Sequence, residues 1–167
     1  MSTTSKISSS FLFVLMLVAV LAPWIAPYSY QDQDTLHILA FPGSEHWLGT
    51  DRLGRDLLSR MIYGARVSLF VGVFSTVVAL IIGTIYGTLS AYLGGRIDNF
   101  MMRVVDVVFA LPDLLMIILI TVLMGRGIVG VFIALTLVSW VTIARLVRGE
   151  VLRIKEYPYI QAARALG

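Results

Sequence analysis

The sequence predicts an all-α, polytopic transmembrane helical bundle, and two observations carry that class. The chain is 58% hydrophobic and 14% charged, whereas soluble domains are near half apolar and a quarter charged. The excess is gathered into long runs without charge. Val67–Gly95, between Arg66 and Arg96, holds 29 residues with no Asp, Glu, Lys or Arg, the pattern of a lipid-crossing helix. The net charge of +3 sits mostly beside apolar runs, so nucleic acid is not an expected partner and membrane lipid is. No cysteine is present, which excludes disulfides and thiolate metal sites.

Met1–Ser10 is polar, with one base, Lys6. Phe11–Pro27 is the first apolar run. Cleavage as a signal peptide after Ala26 would leave Trp24 at the −3 position and Pro27 just past the cut, a poor site. An uncleaved first span with a cytoplasmic N-terminus is therefore expected. At 17 residues it is at the short end for crossing, and Pro23 kinks or ends it.

Tyr28–Arg66 is the one sizeable polar stretch. Leu53, Leu57, Leu58, Met61 and Ile62 recur at helical spacing, with Arg52, Arg55, Asp56 and Arg60 largely opposite. A short amphipathic helix over 53–62, lying at the membrane surface, is expected. His37 and His46 are nine residues apart among acids. A metal site is one reading. Lacking His-x-x-His spacing or a cysteine, the pair fits solvated or interfacial histidines better. Trp24, Trp47 and Trp140 fit interfacial anchors or core packing equally.

Val67–Gly95 is the second span. Ala79, Gly83, Gly87 and Ala91 repeat every four residues and form a face on which another helix can pack closely, within this chain or from a partner. Leu93–Asp98 is a tight turn. The third span runs from about Val104 to Met124, with Arg103 and Asp106 placed to pair. Asp113 is its oddity. An intramembrane carboxylate marks an ion or substrate path by default; alternatively Pro112 opens a new helical segment and Asp113 is a first-turn acid. The second reading is the favoured one.

Gly125-Arg126-Gly127 is a turn, and Ile128–Leu146 is the fourth span. Eight basic residues fall on the N-terminal side of the membrane (Lys6, Arg96, Arg103, Arg145, Arg148, Arg153, Lys155, Arg164) and five on the other (Arg52, Arg55, Arg60, Arg66, Arg126). That bias places the N-terminus in the cytoplasm. Arg148, Arg153 and Lys155 are expected to hold the following segment at the membrane surface. That segment, Glu156–Gly167, predicts a short helix opened by Pro158 and stopped by Gly167. Its small residues shape it to be gripped by another protein.

Two stretches resemble one family. Gln161-Ala162-Ala163 and Gly167 are similar to the first half of the cytoplasmic loop of ABC-importer permeases (Glu-Ala-Ala, three residues, Gly), with Gln for Glu. His46-Trp47-Leu48-Gly49-Thr50-Asp51-Arg52-Leu53-Gly54-Arg55-Asp56-Leu57-Leu58-Ser59-Arg60, continuing through Gly64-Ala65-Arg66-Val67-Ser68-Leu69, resembles the signature of the C-type permease of oligopeptide, dipeptide and nickel importers. The resemblance implies a six-span fold of which four spans are present, hence a C-terminally truncated permease divided at 1–66 and 67–167. It implies a translocation path for peptides or a related solute such as a nickel chelate, in a bacterial or archaeal inner membrane. It also implies a second permease subunit, two cytoplasmic ABC ATPase subunits and an extracytoplasmic substrate-binding protein. Tyr159, Gln161, Ala162, Ala163, Arg164 and Gly167 would form the ATPase-coupling helix. No Walker A loop, Gly-x-Ser-x-Gly or His-Glu-x-x-His occurs, so neither enzymatic activity nor a cofactor is expected, and ATP hydrolysis falls to another chain. The rivals are a membrane scaffold without transport and an intramembrane enzyme built on Asp113.

Overall fold

The computed structural model describes residues 3–125 and 127–166. These form helices α1 (Thr3–Val20), α2 (Ala22–Ile25), α3 (Leu57–Leu93), α4 (Gly95–Phe109), α5 (Asp113–Met124), α6 (Ile128–Lys155) and α7 (Pro158–Ala165). They divide into two compact units, residues 1–70 and 71–167. The division falls inside α3, four residues past the expected boundary at 66.

The expectation of four spans is too high. Among the described residues two helices, α3 and α6, are long and apolar enough to cross a membrane, and a third span results only if α4 and α5 count as one. The apolar run at 11–27 falls short on length: its helix is apolar but stops at Val20, and the chain breaks at Leu21. Pro23 lies in the first turn of the next helix, where its missing N–H is tolerated. The run at 104–124 is not one rod. Leu111 precedes Pro112 and is steered out of helical geometry, and α4 and α5 meet at 81°.

No separate helix covers 53–62. Residues 52–54 turn the chain, Asp56 forms an isolated bridge with Thr50, and the helix begins at Leu57 and continues to Leu93. Asp56 sets that start. Its Oδ2 accepts the N–H of Ser59 at 2.7 Å, three residues on, the geometry of an N-cap. The apolar spacing of Leu57, Leu58, Met61 and Ile62 belongs to the first turns of the long helix.

In the second unit, Val105, Val141 and Ala144 form the buried centre, with Tyr86, Met102, Val108 and Trp140 packed around them. Trp140 meets Tyr86 edge-on at 5.0 Å, while Trp24 and Trp47 are exposed. Ala79, Gly83, Gly87 and Ala91 are all buried. A Cβ on Gly83 would stand 2.7 Å from the Trp140 carbonyl oxygen and from Ile143 Cβ; one on Gly87 would stand 2.3 Å from the Ala144 carbonyl oxygen. This stripe is thus where α3 and α6 of the same chain approach backbone to backbone.

Candidate functional site

The segment singled out for partner contact is α7. Tyr157 is extended and Pro158 occupies the first turn, so a two-residue joint, Glu156 and Tyr157, separates α7 from α6. Tyr159, Gln161, Ala162, Ala163 and Arg164 are exposed, and Ile160 alone is half-buried. Gln161 Nε2 reaches back to a Glu156 carboxylate oxygen at 3.3 Å. The face bearing the two alanines is open. Gly167 lies outside the described residues.

The base of α6 is braced. Arg148 donates from Nε and from a terminal nitrogen to the two oxygens of Asp98, each at 2.6 Å, a bidentate geometry specific to arginine. Ser90 Oγ donates to the same carboxylate at 2.6 Å. Lys155 Nζ donates to the Ala91 carbonyl at 2.8 Å, satisfying an orphan acceptor in the last turn of α3. These contacts correct the expectation that Arg148 and Lys155 hold the segment at the lipid surface: both are engaged within the chain. Arg153 pairs with Glu150. Asp106 pairs with Arg145 at 2.8 Å in place of the expected Arg103, and the Arg145 guanidinium stacks 4.1 Å over Phe109, a cation–π contact.

Asp113 is the first residue of α5, after Pro112, and is exposed. Its position is that of a first-turn acid at a helix start.

The polar loop 28–56 is folded on itself. Asp34 N donates to the Gly54 carbonyl at 2.9 Å, Thr50 N to Ala40 at 3.1 Å and Leu57 N to Gly49 at 3.0 Å. Gly49 and Gly54 have φ of +75° and +71°, and a Cβ would stand 2.3 Å from Ala40 O and 1.9 Å from Asp34 O respectively. Only glycine meets both demands. Asp51 gathers the turn between them, accepting N–H bonds from Leu53 at 2.8 Å and Arg55 at 3.0 Å, as well as the Arg55 and Arg60 guanidiniums. Desolvation pushes the Asp51 carboxyl up, but these donors win and bring it down to about 2.

The two histidines are not alike: the expected solvation holds for His37 and is corrected for His46. His37 is exposed, hydrogen-bonded through Nδ1 to Asp34 Oδ2 at 2.7 Å; that bond holds Asp34 below and His37 above their ordinary pKa values. His46 is buried against the Tyr28 ring, 5.0 Å between centroids, with Nδ1 3.0 Å from Asp56 Oδ1.

Sequence reasoning missed the Ser90–Asp98–Arg148 cluster and the His46–Asp56 pair. No spacing rule links Asp98 to an arginine 50 residues away. Asp56 did carry a signal, an aspartate just ahead of an apolar helical run.

Residues 79–167, more than half the chain, match the family described as binding-protein-dependent transport system inner membrane component. The chain belongs to that family. Residues 3–42 match the N-terminal TM domain of oligopeptide transport permease C. Over 166 residues the chain is 45% identical to the dipeptide transport system permease protein DppC of Bacillus subtilis, covering 98% of this chain and 52% of that protein. The oligopeptide transport system permease protein OppC of the same organism is 42% identical over 154 residues, 92% of this chain and 50% of the relative. The glutathione transport system permease protein GsiD of Pectobacterium atrosepticum is 44% identical over 161 residues, 93% and 53%. This family member therefore spans about half the length of the curated relatives it matches, and it is a multi-pass membrane chain by its α3 and α6.

Proposed function

We propose that the chain serves in the permease subunit of an ABC importer for di- or oligopeptides or a related small solute. Within such an importer, α7 is the element that an ATPase subunit grips. The observation that carries this reading is α7 itself: a short helix with an open alanine face, joined by two residues to a membrane helix. Small side chains let a partner groove approach the helix backbone closely, as glycine and alanine do between membrane helices.

In this reading α7 and the N-terminus face the cytoplasm and the loop 28–56 faces the opposite side, where a substrate-binding protein delivers its cargo. A second permease subunit completes the path. Two ATPase subunits close on ATP, and the displacement of α7 passes into α6. The Asp98–Arg148 pair and the Lys155 cap tie that helix to the α3–α4 turn, so the push tilts packed helices together. ATP must bind the two ATPase states with different affinity for the cycle to run. Exposed apolar residues such as Ile81, Ile85 and Leu89 on α3 and Leu115, Leu119 and Val122 on α5 face lipid or the second permease. The relatives named for dipeptides, oligopeptides and glutathione favour a peptide-like substrate.

The test is reconstitution. The full-length permease, its partner permease, both ATPases and the binding protein are placed in liposomes, and uptake of labelled dipeptides, oligopeptides and glutathione is measured with and without ATP. ATP-dependent accumulation of one class is expected. An assembled, ATP-hydrolysing complex that accumulates none of them sinks the peptide reading, and a chain that recruits no ATPase at all leaves the scaffold reading in its place.

A further inference from the structure

We propose that Asp34, His37 and His46 form a binding site for a divalent first-row transition-metal ion, in the loop ahead of α3. The inference does not depend on the transport reading. One ligand atom from each of the three residues lies within 4.8 Å of the others.

The chemistry of His46 carries the argument. Its ring is about nine-tenths buried, and its Nδ1 is 3.0 Å from Asp56 Oδ1. The other Asp56 oxygen is fixed by the Ser59 N–H at the start of α3. An ionised carboxylate only accepts, so Nδ1 carries the proton and the neutral ring bears its lone pair on Nε2. That Nε2 points to Asp34, 3.9 Å from Oδ2, with no hydrogen bond among the described residues. Asp34 Oδ2, on a side chain 37% exposed, faces that lone pair while already accepting from His37 Nδ1 at 2.7 Å, so a cation held between the three atoms takes the place of the His37 proton. Nitrogen and oxygen ligands at 2.0–2.2 Å in tetrahedral geometry lie about 3.4 Å apart, so 3.9 Å closes with a small shift.

The remaining donors are oriented in the same sense. Asp34 Oδ1 accepts the Leu36 N–H at 2.9 Å, which leaves Oδ2 as the ligating oxygen. His37 is exposed and its Nδ1 already lies 2.7 Å from that oxygen. Its Nε2 faces the Glu45 carboxylate at 3.9 Å. His37 Nδ1 donates to Asp34 and gives up that proton on binding, its Nε2 lying 3.9 Å from Glu45; His46 has Nε2 toward the proposed ion and Nδ1 held by the Asp56 carboxylate. That is the arrangement which orients metal-bound imidazoles and raises their basicity. Two imidazoles and one carboxylate suit zinc-like ions, not Mg2+ or Ca2+, which take oxygen ligands. The bound ion ties residues 34–46 through His46 and Asp56 to the first turn of α3.

The test uses the protein in lipid nanodiscs, purified without a histidine tag and stripped with a chelator. Zn2+ is titrated against a competing chelating dye, and Co2+ is followed by its visible absorption. One Zn2+ per chain is expected, with a Co2+ spectrum of a four- or five-coordinate N/O site. His37→Gln and Asp34→Asn should each weaken Zn2+ binding at least about 100-fold. Asp56→Asn should weaken it about 10- to 100-fold by releasing the His46 ring. His37 is exposed, so His37→Gln keeps the fold, checked by circular dichroism. Wild-type affinity in either His37→Gln or Asp34→Asn overturns the proposal, as does a wild-type protein that takes up no Zn2+ at micromolar concentrations.

Discussion

Replacing Gly87 by alanine should loosen the contact between α3 and α6, even though alanine is the better helix former. The added Cβ would stand 2.3 Å from the Ala144 carbonyl oxygen, 3.0 Å from Arg148 N and 3.1 Å from the Ala144 carbonyl carbon. All three are backbone atoms, so no side-chain rotation relieves the clash. To restore an ordinary contact, α6 must retreat by about 1 Å along that direction. Overpacking of this kind costs ~1–3 kcal/mol, against a helix-propensity gain of up to ~1 kcal/mol for Gly→Ala. The net expectation is a loss of about 1–2 kcal/mol, which is ~5- to 30-fold in the folding equilibrium. Gly83→Ala should fall lower on the same scale, because its Cβ would stand 2.7 Å from its nearest neighbours and one of those is a side chain. Gly72, also in α3, has nothing within 4 Å of a Cβ, so Gly72→Ala should be neutral or slightly stabilising. The assay is unfolding of the full-length protein in detergent by steric trapping or denaturant, with the three variants side by side. The ordering Gly72→Ala, Gly83→Ala, Gly87→Ala from most to least stable is the result expected. A Gly87→Ala protein as stable as Gly72→Ala would refute the idea that this stripe is a close backbone contact within the chain.

Three further outcomes follow from other contacts. Asp98→Asn should destabilise by about 2 kcal/mol, below the 3–5 kcal/mol of a fully buried pair because the Arg148 side chain keeps 29% of its surface exposed; the same unfolding assay on Asp98→Asn and on Asp98→Asn with Arg148→Met should show partial recovery in the double variant. Ala163→Asp, on the open face of α7, should leave insertion intact while weakening ATPase association ~5- to 150-fold, the equivalent of ~1–3 kcal/mol of overpacking; Gln161→Glu should be tolerated, and co-purification with the ATPase reads both. Asp51 has a folded pKa of about 2 against an ordinary 3.8, so its contribution is complete above about pH 4 and is lost as pH falls through about 2. Emission from Trp47 in the same loop should report that transition, and Asp51→Asn should abolish it while already loosening the loop at neutral pH.

The sequence was most readable where one local rule decides the outcome. Charge-free length marks α3 and α6, Pro158 opens α7, and the four-residue repeat of small side chains marks the face of α3 that meets α6. Pro112 was equally informative about the break ahead of Asp113. A hydropathy run has no term for the direction of the chain, however, so 104–124 read as one crossing when it is two helices at 81°. The apolar spacing in 53–62 was real, but its start lay four residues later because Asp56 caps the helix. What could not be read was contact between distant residues. The pairing of Arg148 with Asp98 and of Lys155 with the end of α3 is set only once α3, α4 and α6 have packed, and the seating of His46 between Tyr28 and Asp56 only once the loop 28–56 has folded on itself.

The position of the Arg148–Asp98 clamp along α6 has a mechanical consequence. If α3, α4 and α6 tilt together as one rigid body about that point, α6 is a lever with unequal arms. Arg148 stands 7 residues from Lys155 and 20 residues from Ile128, arms of about 10 Å and 30 Å at 1.5 Å per residue. A swing that moves the α7 end by about 1 Å therefore moves the Gly127 end by about 3 Å. Under the proposed transport role, a push on the short α7 arm would be traded for greater travel of the long arm. Paired spin labels at the two ends of α6 would measure that ratio directly, and equal displacements at both would mean the helix slides instead of pivoting.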